Sequence, residues 1–307
     1  MYKDIKDNPN QIKLLKKAKS KYISRALANA LLKHNQNSFL QKKYKATILF
    51  CAEALLKAED KNTLKTSYCK NRWCVLCNRI RTANLINGYL QPLQQIENKY
   101  FVTLTLPTVN EKNLRGRIKL MEDEWRNMMK LKHKENRFEN FDGVRKMECT
   151  IRPQGLYHYH YHVILGGKAQ AEWLLFQWLK RFPAAAKRAQ DIRPADDNSV
   201  KELFKYFTKL LAKDDGLFPT AERKFTQFKR LDYIFRILHG KRIYQSFGKI
   251  RKVSEEITEK LIEDLEVPQG FNGKIWKWST CDWESELGEV LSNYEPTATT
   301  EQLIKNC

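Results

Sequence analysis

Tyr157–Leu165 reads YHYHYHVIL, and it follows Gly143–Arg152, GVRKMECTIR, across the turn residues Pro153, Gln154 and Gly155. On a strand, alternate residues share a face, so His158, His160 and His162 point one way and Tyr161, Val163 and Leu165 the other. In the preceding run Met147, Cys149 and Ile151 supply an apolar face, leaving Glu148 on the opposite one with Lys146 and Thr150. The pair predicts an antiparallel hairpin. Upstream, Tyr100–Leu106, YFVTLTL, alternates in the same way until Pro107 stops it. It buries Val102, Leu104 and Leu106 and turns Thr103 and Thr105 outward. Three strands thus share one apolar and one polar face.

Around this sheet the period changes to that of helices. Arg117–Leu131, Ala169–Phe182 and Val200–Lys213 carry apolar stripes at helical spacing, as do residues 10 to 58, in which Ala46–Leu56 continues the helical reading. A cysteine-rich stretch, Tyr68–Cys77, runs into a helix over Arg79–Leu93. After Gly216 come a helix, the strand-like RIYQSFGKIRK, an acidic helix over Ser254–Glu266 and a Trp-containing tail. The expected fold class is α+β: a central antiparallel sheet with flanking helices, preceded by a helical region and a small cysteine metal module. The expected organisation is an N-terminal helical region at 1–60, the cysteine module at 61–98, a catalytic core at 99–213, its continuation at 214–252 and an acidic region at 253–307.

Charge narrows the function. The chain of 307 residues has 56 Lys and Arg against 35 Asp and Glu, a formal +21. Such a surface attracts polyanions, of which nucleic acid is the commonest in a cell. From Val253 onward twelve acidic residues face four basic ones, so the excess lies in the first 252. The first residues, MYKDIKDNPNQIKLLKK, are charged throughout, unlike a secretory signal, and Ala46–Leu56 is too short to span a bilayer. The expectation is a cytoplasmic protein without a membrane partner. Seven cysteines in that compartment point to metal rather than disulfides.

Two histidines and a carboxylate form a mixed nitrogen and oxygen site suited to Mn²⁺ or Mg²⁺. His160 and His162 are the expected pair, with Glu148 as third ligand and His158 as the alternative. A chance run of surface histidines is the bland reading. Ser199–Lys213, SVKELFKYFTKLLAK, takes Ser199 as N-cap and puts Val200, Leu203, Phe204 and Phe207 on one face. Tyr206 falls on the charged face with Glu202, Lys205 and Lys209. Ammonium groups nearby favour the phenolate, a competent nucleophile toward phosphorus, and Glu202 at i−4 is placed to activate a water. An ordinary half-exposed tyrosine would look the same. Cys69, Cys74 and Cys77, spaced C-x₄-C-x₂-C, suit structural Zn²⁺, with Cys51 first and His34 second as fourth ligand. An iron–sulfur cluster has similar spacing. Arg72, Arg79 and Arg81 around the block, with Lys205 and Lys209, are candidate DNA contacts.

In order, CKNRWCVLC, FVTLTLP, HYHYHVIL, ELFKYFTK and LHGKRIYQSFGKIRK resemble the HUH endonuclease superfamily. The likeness is closest to rolling-circle plasmid replication initiators with a cysteine motif ahead of the first strand. It covers roughly Cys69 to Arg251. Val75 and Tyr159 stand where that family usually has proline. The resemblance implies that His160 and His162 bind the catalytic metal, that Tyr206 nicks single-stranded or hairpin origin DNA, and that Glu202 ends the cycle by hydrolysis. It implies a 5′-phosphotyrosine and a 3′-hydroxyl primer, and host helicase and polymerase as further partners. A transposase of the same superfamily is the near alternative. A non-catalytic, zinc-containing DNA-binding regulator is the distant one.

Overall fold

The computed structural model describes residues 8–58, 64–135, 137–204, 221–253, 272–298 and 300–301. It is an α+β protein with two antiparallel sheets. The helices are α1 Pro9–His34, α2 Gln41–Leu49, α3 Val75–Gln94, α4 Glu111–Glu135, α5 Lys168–Arg181, α6 Asp197–Phe204 and α7 Ala221–Leu238. The strands are β1 Ala54–Ala58, β2 Leu64–Lys65, β3 Lys99–Thr105, β4 Gly143–Ile151, β5 Tyr157–Gly166, β6 Asp191–Pro194, β7 Tyr244–Phe247, β8 Gly273–Trp278 and β9 Trp283–Ser285.

Contacts divide the chain into two units, each assembled from segments distant in sequence. One takes Met1–Arg81, Asp214–Arg236 and Thr258–Cys307, and the other Thr82–Lys213 and Ile237–Ile257. In the second unit the sheet order is β6-β3-β5-β4-β7. The hairpin pairs Glu148 with His160 and Lys146 with His162, while β3 sets Thr103 against His162 and Thr105 against His160. Val102, Leu104, Met147, Tyr161 and Val163 are buried on one face, as are Leu114, Ile118, Met121, Trp125 and Met128 of α4. Trp178 of α5 is wholly buried there, 5.9 Å from the Tyr161 ring, and its indole N–H donates to the Thr105 carbonyl at 3.2 Å.

The other face is not polar throughout, as the alternation alone suggested. One step along each strand from Thr103, His162 and Lys146 stand Phe101, Ile164 and Val144, paired as a row across the sheet. All three are buried in a cluster with Leu93 of α3 and Val200, Leu203 and Phe204 of α6. Residues two apart share a face, so an apolar row continues the histidine row. Helix α6 is thereby packed on the histidine side. That helix is capped by Asp196 rather than Ser199: the Asp196 carboxylate accepts from both the backbone N–H and the hydroxyl of Ser199, each at 2.8 Å.

The first unit carries a sheet of order β2-β1-β8-β9, outside the sequence reading. Ala46–Leu56 is not one helix. It stops at Leu49, turns through Ala52 at φ 53°, and continues as β1, pairing with β8 over Ala54–Ala58. Pairing with a strand over 200 residues away overrides a helix-compatible local sequence. Trp283, fully buried, ties this turn by donating its indole N–H to the Ala52 carbonyl at 2.8 Å. Helix α7 is fastened to α2 and the turn before it by buried Asp232, which accepts from Ser38, Tyr44 and Arg236 at 2.6, 2.7 and 2.8 Å. The expected acidic helix at Ser254–Glu266 lies outside the described residues.

Candidate metal centres

Glu148, His160 and His162 each offer a ligand atom within 4.8 Å of the others. The two Nε2 atoms are 3.1 Å apart, and Glu148 Oε2 is 3.7 Å from His162 Nε2. Two nitrogens bound at right angles to one ion, with bonds of about 2.1 Å, stand about 3.0 Å apart, so the imidazoles already hold the spacing of adjacent ligands. Their other nitrogens are engaged. His162 Nδ1 is 3.2 Å from the Thr103 hydroxyl, and His160 Nδ1 is 3.3 Å from the His158 carbonyl. The carbonyl only accepts, so the His160 proton sits on Nδ1 and its Nε2 keeps a lone pair. The donor set fits a divalent cation.

Electrostatics agree. Burial raises the Glu148 carboxyl, but the Lys146 ammonium, 2.6 Å from Oε2, and the His160 and His162 imidazoles outweigh it and bring the group down to about 2. Burial holds the His160 imidazole below its ordinary value, against the pull of Glu148. A carboxylate held ionised at neutral pH beside a buried imidazole whose charged form is disfavoured is a ready ligand pair. His158 is outside this group. It stacks on His160 at 4.7 Å and takes a contact from Arg152 Nη2 at 3.1 Å. Burial, His160 and Arg152 push it down to about 4.

Near this centre, Glu202 is paired with Arg193 at 2.9 Å, and Arg193 also holds Asp191 at 2.9 Å while lying over the Phe101 ring at 4.3 Å. Sequence reasoning passed over Arg193 and gave Thr103 no role. The threonine was legible only as an outward position opposite the histidines. Tyr206, Lys205 and Lys209 lie outside the described residues.

In the first unit the sulfurs of Cys51, Cys69, Cys74 and Cys77, all buried, lie within 4.8 Å of one another. Cys51 is 3.4 Å from Cys77 and 3.7 Å from Cys74, and Cys69 is 3.6 Å from Cys77. A tetrahedral ion with sulfur bonds of 2.3 Å needs edges of about 3.8 Å. The set therefore fits a structural metal, and Cys51, not His34, is the fourth member. Cys51 follows α2, Cys69 follows β2, and Cys77 is in the first turn of α3, with Cys74 just ahead of it. The residues after Cys51 and Cys69, Ala52 and Lys70, take left-handed φ of 53° and 47°, which turns the chain sharply around the sulfurs. Contact with the other three thiols holds Cys69 low and pushes Cys77 up, and contact with Cys69 and Cys74 pushes Cys51 up. Buried Lys21 donates to the Cys51 carbonyl at 2.6 Å and to Glu53 at 2.8 Å, setting a positive charge close by. Arg79 and Arg81 are occupied within the module: Arg79 donates to Ser20 at 2.7 Å and Arg81 to the Lys70 carbonyl at 3.0 Å.

Among the described residues no helix is long and apolar enough to cross a membrane. Residues 60–170, which hold three of the four cysteines and all of the Glu148–His160–His162 centre, match a family model described as replication protein. The chain is 32% identical over 145 residues to a protein of Lentilactobacillus hilgardii called Protein rep, covering 40% of this chain and 45% of that protein. It is 28% identical over 170 residues to a Protein rep of Staphylococcus aureus, covering 49% of this chain and 73% of that one. No solved structure matches the chain. By sequence, the segment that builds the histidine centre is similar to replication proteins, and the chain spans less than half the length of the first of these relatives.

Proposed function

We propose that the chain initiates rolling-circle replication of a plasmid by nicking one strand of its origin. The observation that carries this reading is the Glu148–His160–His162 centre, with both Nδ1 atoms engaged, inside the segment that matches replication proteins. Those three residues would hold Mn²⁺ or Mg²⁺, which supplies charge stabilisation at the phosphate. Tyr206 follows Phe204, the last described residue of α6, by two positions, and α6 packs on the histidine side of the sheet. That placement supports Tyr206 as nucleophile.

In this reading the Tyr206 phenolate attacks phosphorus and forms a phosphotyrosine with the 5′ end. The bond to the 3′ oxygen breaks, and that oxygen takes a proton and leaves as a primer hydroxyl. The in-line displacement needs little beyond positioning and charge stabilisation. Glu202, released from Arg193, then serves as base for water in the closing hydrolysis. The cysteine module would hold Zn²⁺ and brace the unit it belongs to, and host helicase and polymerase would extend the primer. Arg72, Arg79 and Arg81 are DNA-contact candidates, with Lys205 and Lys209.

The test is a covalent adduct. Wild type incubated with Mn²⁺ and single-stranded oligonucleotides is expected to form a protein–DNA band that resists denaturant, and Tyr206→Phe to form none. Adducts from Tyr206→Phe would remove the tyrosine from its role. Tight DNA binding without adducts from wild type would favour a non-catalytic regulator.

A further inference from the structure

Next to the histidine row an open cavity of about 290 Å³ borders the sheet. Thr105, Leu106, Pro107 and Thr108 line it from the end of β3, and Arg152 and His158 from the β4–β5 hairpin. The volume is at the small end of ligand sites and suits one ring system with a small substituent rather than a folded chain. Its apolar lining is Leu106, Pro107, Ala186 and Ala189, and Arg152 is an exposed cation among them. His158 connects it to the metal centre, since its ring stacks on His160 at 4.7 Å with 22° between the planes.

The hydrogen bonding of His158 indicates what it offers. Arg152 Nη2 lies 3.1 Å from His158 Nδ1. A guanidinium has no acceptor, so Nδ1 accepts and the ring proton is on Nε2. His158 is therefore a donor at Nε2 rather than a lone pair for a metal, which agrees with its place outside the Glu148 cluster. A planar base edge carrying a carbonyl would complement that donor, the apolar lining would complement the base's faces, and a phosphate would complement Arg152, whose fork suits phosphate oxygens.

We propose that this cavity is a subsite for a single nucleotide, the one beside the phosphate to be cut, with Arg152 and His158 as its polar contacts. The proposal rests on the nuclease reading for its place along the strand, and on the cavity itself for its chemistry. It gives His158 a task the metal does not, selecting the base next to the nick.

The test uses the full chain without added metal and the four deoxynucleoside 5′-monophosphates as probes, with the histidine side-chain resonances followed by NMR. At least one nucleotide is expected to shift the His158 signals and saturate in the millimolar range. Arg152→Ala should weaken that binding about tenfold, Arg152→Lys should restore part of it, and Cys281→Ser, in the other unit, should leave it unchanged. No His158 shift with any of the four up to about 10 mM overturns the proposal, as does equal binding by wild type and Arg152→Ala. Nucleotide binding without Mn²⁺-dependent adducts would remove the nuclease reading and keep the nucleotide site. Adducts without nucleotide binding would do the reverse.

Discussion

Replacing Cys51 by serine tests the four-sulfur centre at the member contributed from outside the cysteine block. The separations of 3.4, 3.6 and 3.7 Å are about 0.1 to 0.4 Å short of the edge of about 3.8 Å that zinc requires, so the folded chain needs only slight expansion to accept the ion. Structural zinc contributes on the order of 10–16 kcal/mol in small modules, and divided over four thiolates this is roughly 3 kcal/mol for one of them. That corresponds to about a hundredfold in affinity. Competition against a chromophoric chelator reads the affinity, and X-ray absorption counts the sulfurs. The expected result is four sulfurs near 2.3 Å in wild type, and three with about a hundredfold weaker zinc in Cys51→Ser. Cys281, half-buried and outside the cluster, supplies the control: Cys281→Ser should behave as wild type. Unchanged affinity and sulfur count in Cys51→Ser would refute the reasoning, because the geometry admits no spare sulfur among the described residues.

Thr103→Val removes the hydroxyl at His162 Nδ1 while keeping the shape of the strand; Mn²⁺ affinity measured by calorimetry should fall about 10- to 100-fold with little change in melting temperature. Glu148 has a folded pKa of about 2, below its unfolded value, so in the metal-free protein its stabilisation is complete above pH 5 or so and disappears as the pH falls toward about 2. Denaturant melts should accordingly show wild type more stable than Glu148→Gln by on the order of 3 kcal/mol near pH 7, with the gap closing in acid; a gap independent of pH would contradict the assignment. Trp178→Ala opens a cavity under the histidine sheet and removes one of the two side-chain donors to the Thr105 carbonyl, the other being Gln190 Nε2 at 3.3 Å, and should cost about 3–5 kcal/mol by the same melts. Arg193→Ala leaves Glu202 without its partner; since the pair is well exposed, stability should change by less than about 1 kcal/mol, while phosphotyrosine hydrolysis in a gel assay should accelerate.

The histidine hairpin was legible because strand alternation is a local rule. Once YHYHYHVIL and GVRKMECTIR are strands, the facing of His160, His162 and Glu148 follows from period two, and only the register remained to be set. The three clustered cysteines were legible for a similar reason, being close in sequence. What the chain order hides is pairing between distant segments. Residues Ala54–Ala58 look helical beside Ala46–Leu49 and become a strand because β8, more than 200 residues later, pairs with them. That same pairing and the Trp283 indole shape the turn that carries Cys51 to its three partners. That Glu148, already the first choice from sequence, groups with the two imidazoles while His158 does not is a matter of tertiary contact, with Arg152 against the His158 nitrogen and Lys146 against the carboxylate. Local periodicity acts over neighbours and can be read directly. Long-range hydrogen bonding and burial act between residues that the sequence sets far apart, and they determine which ligand atoms meet.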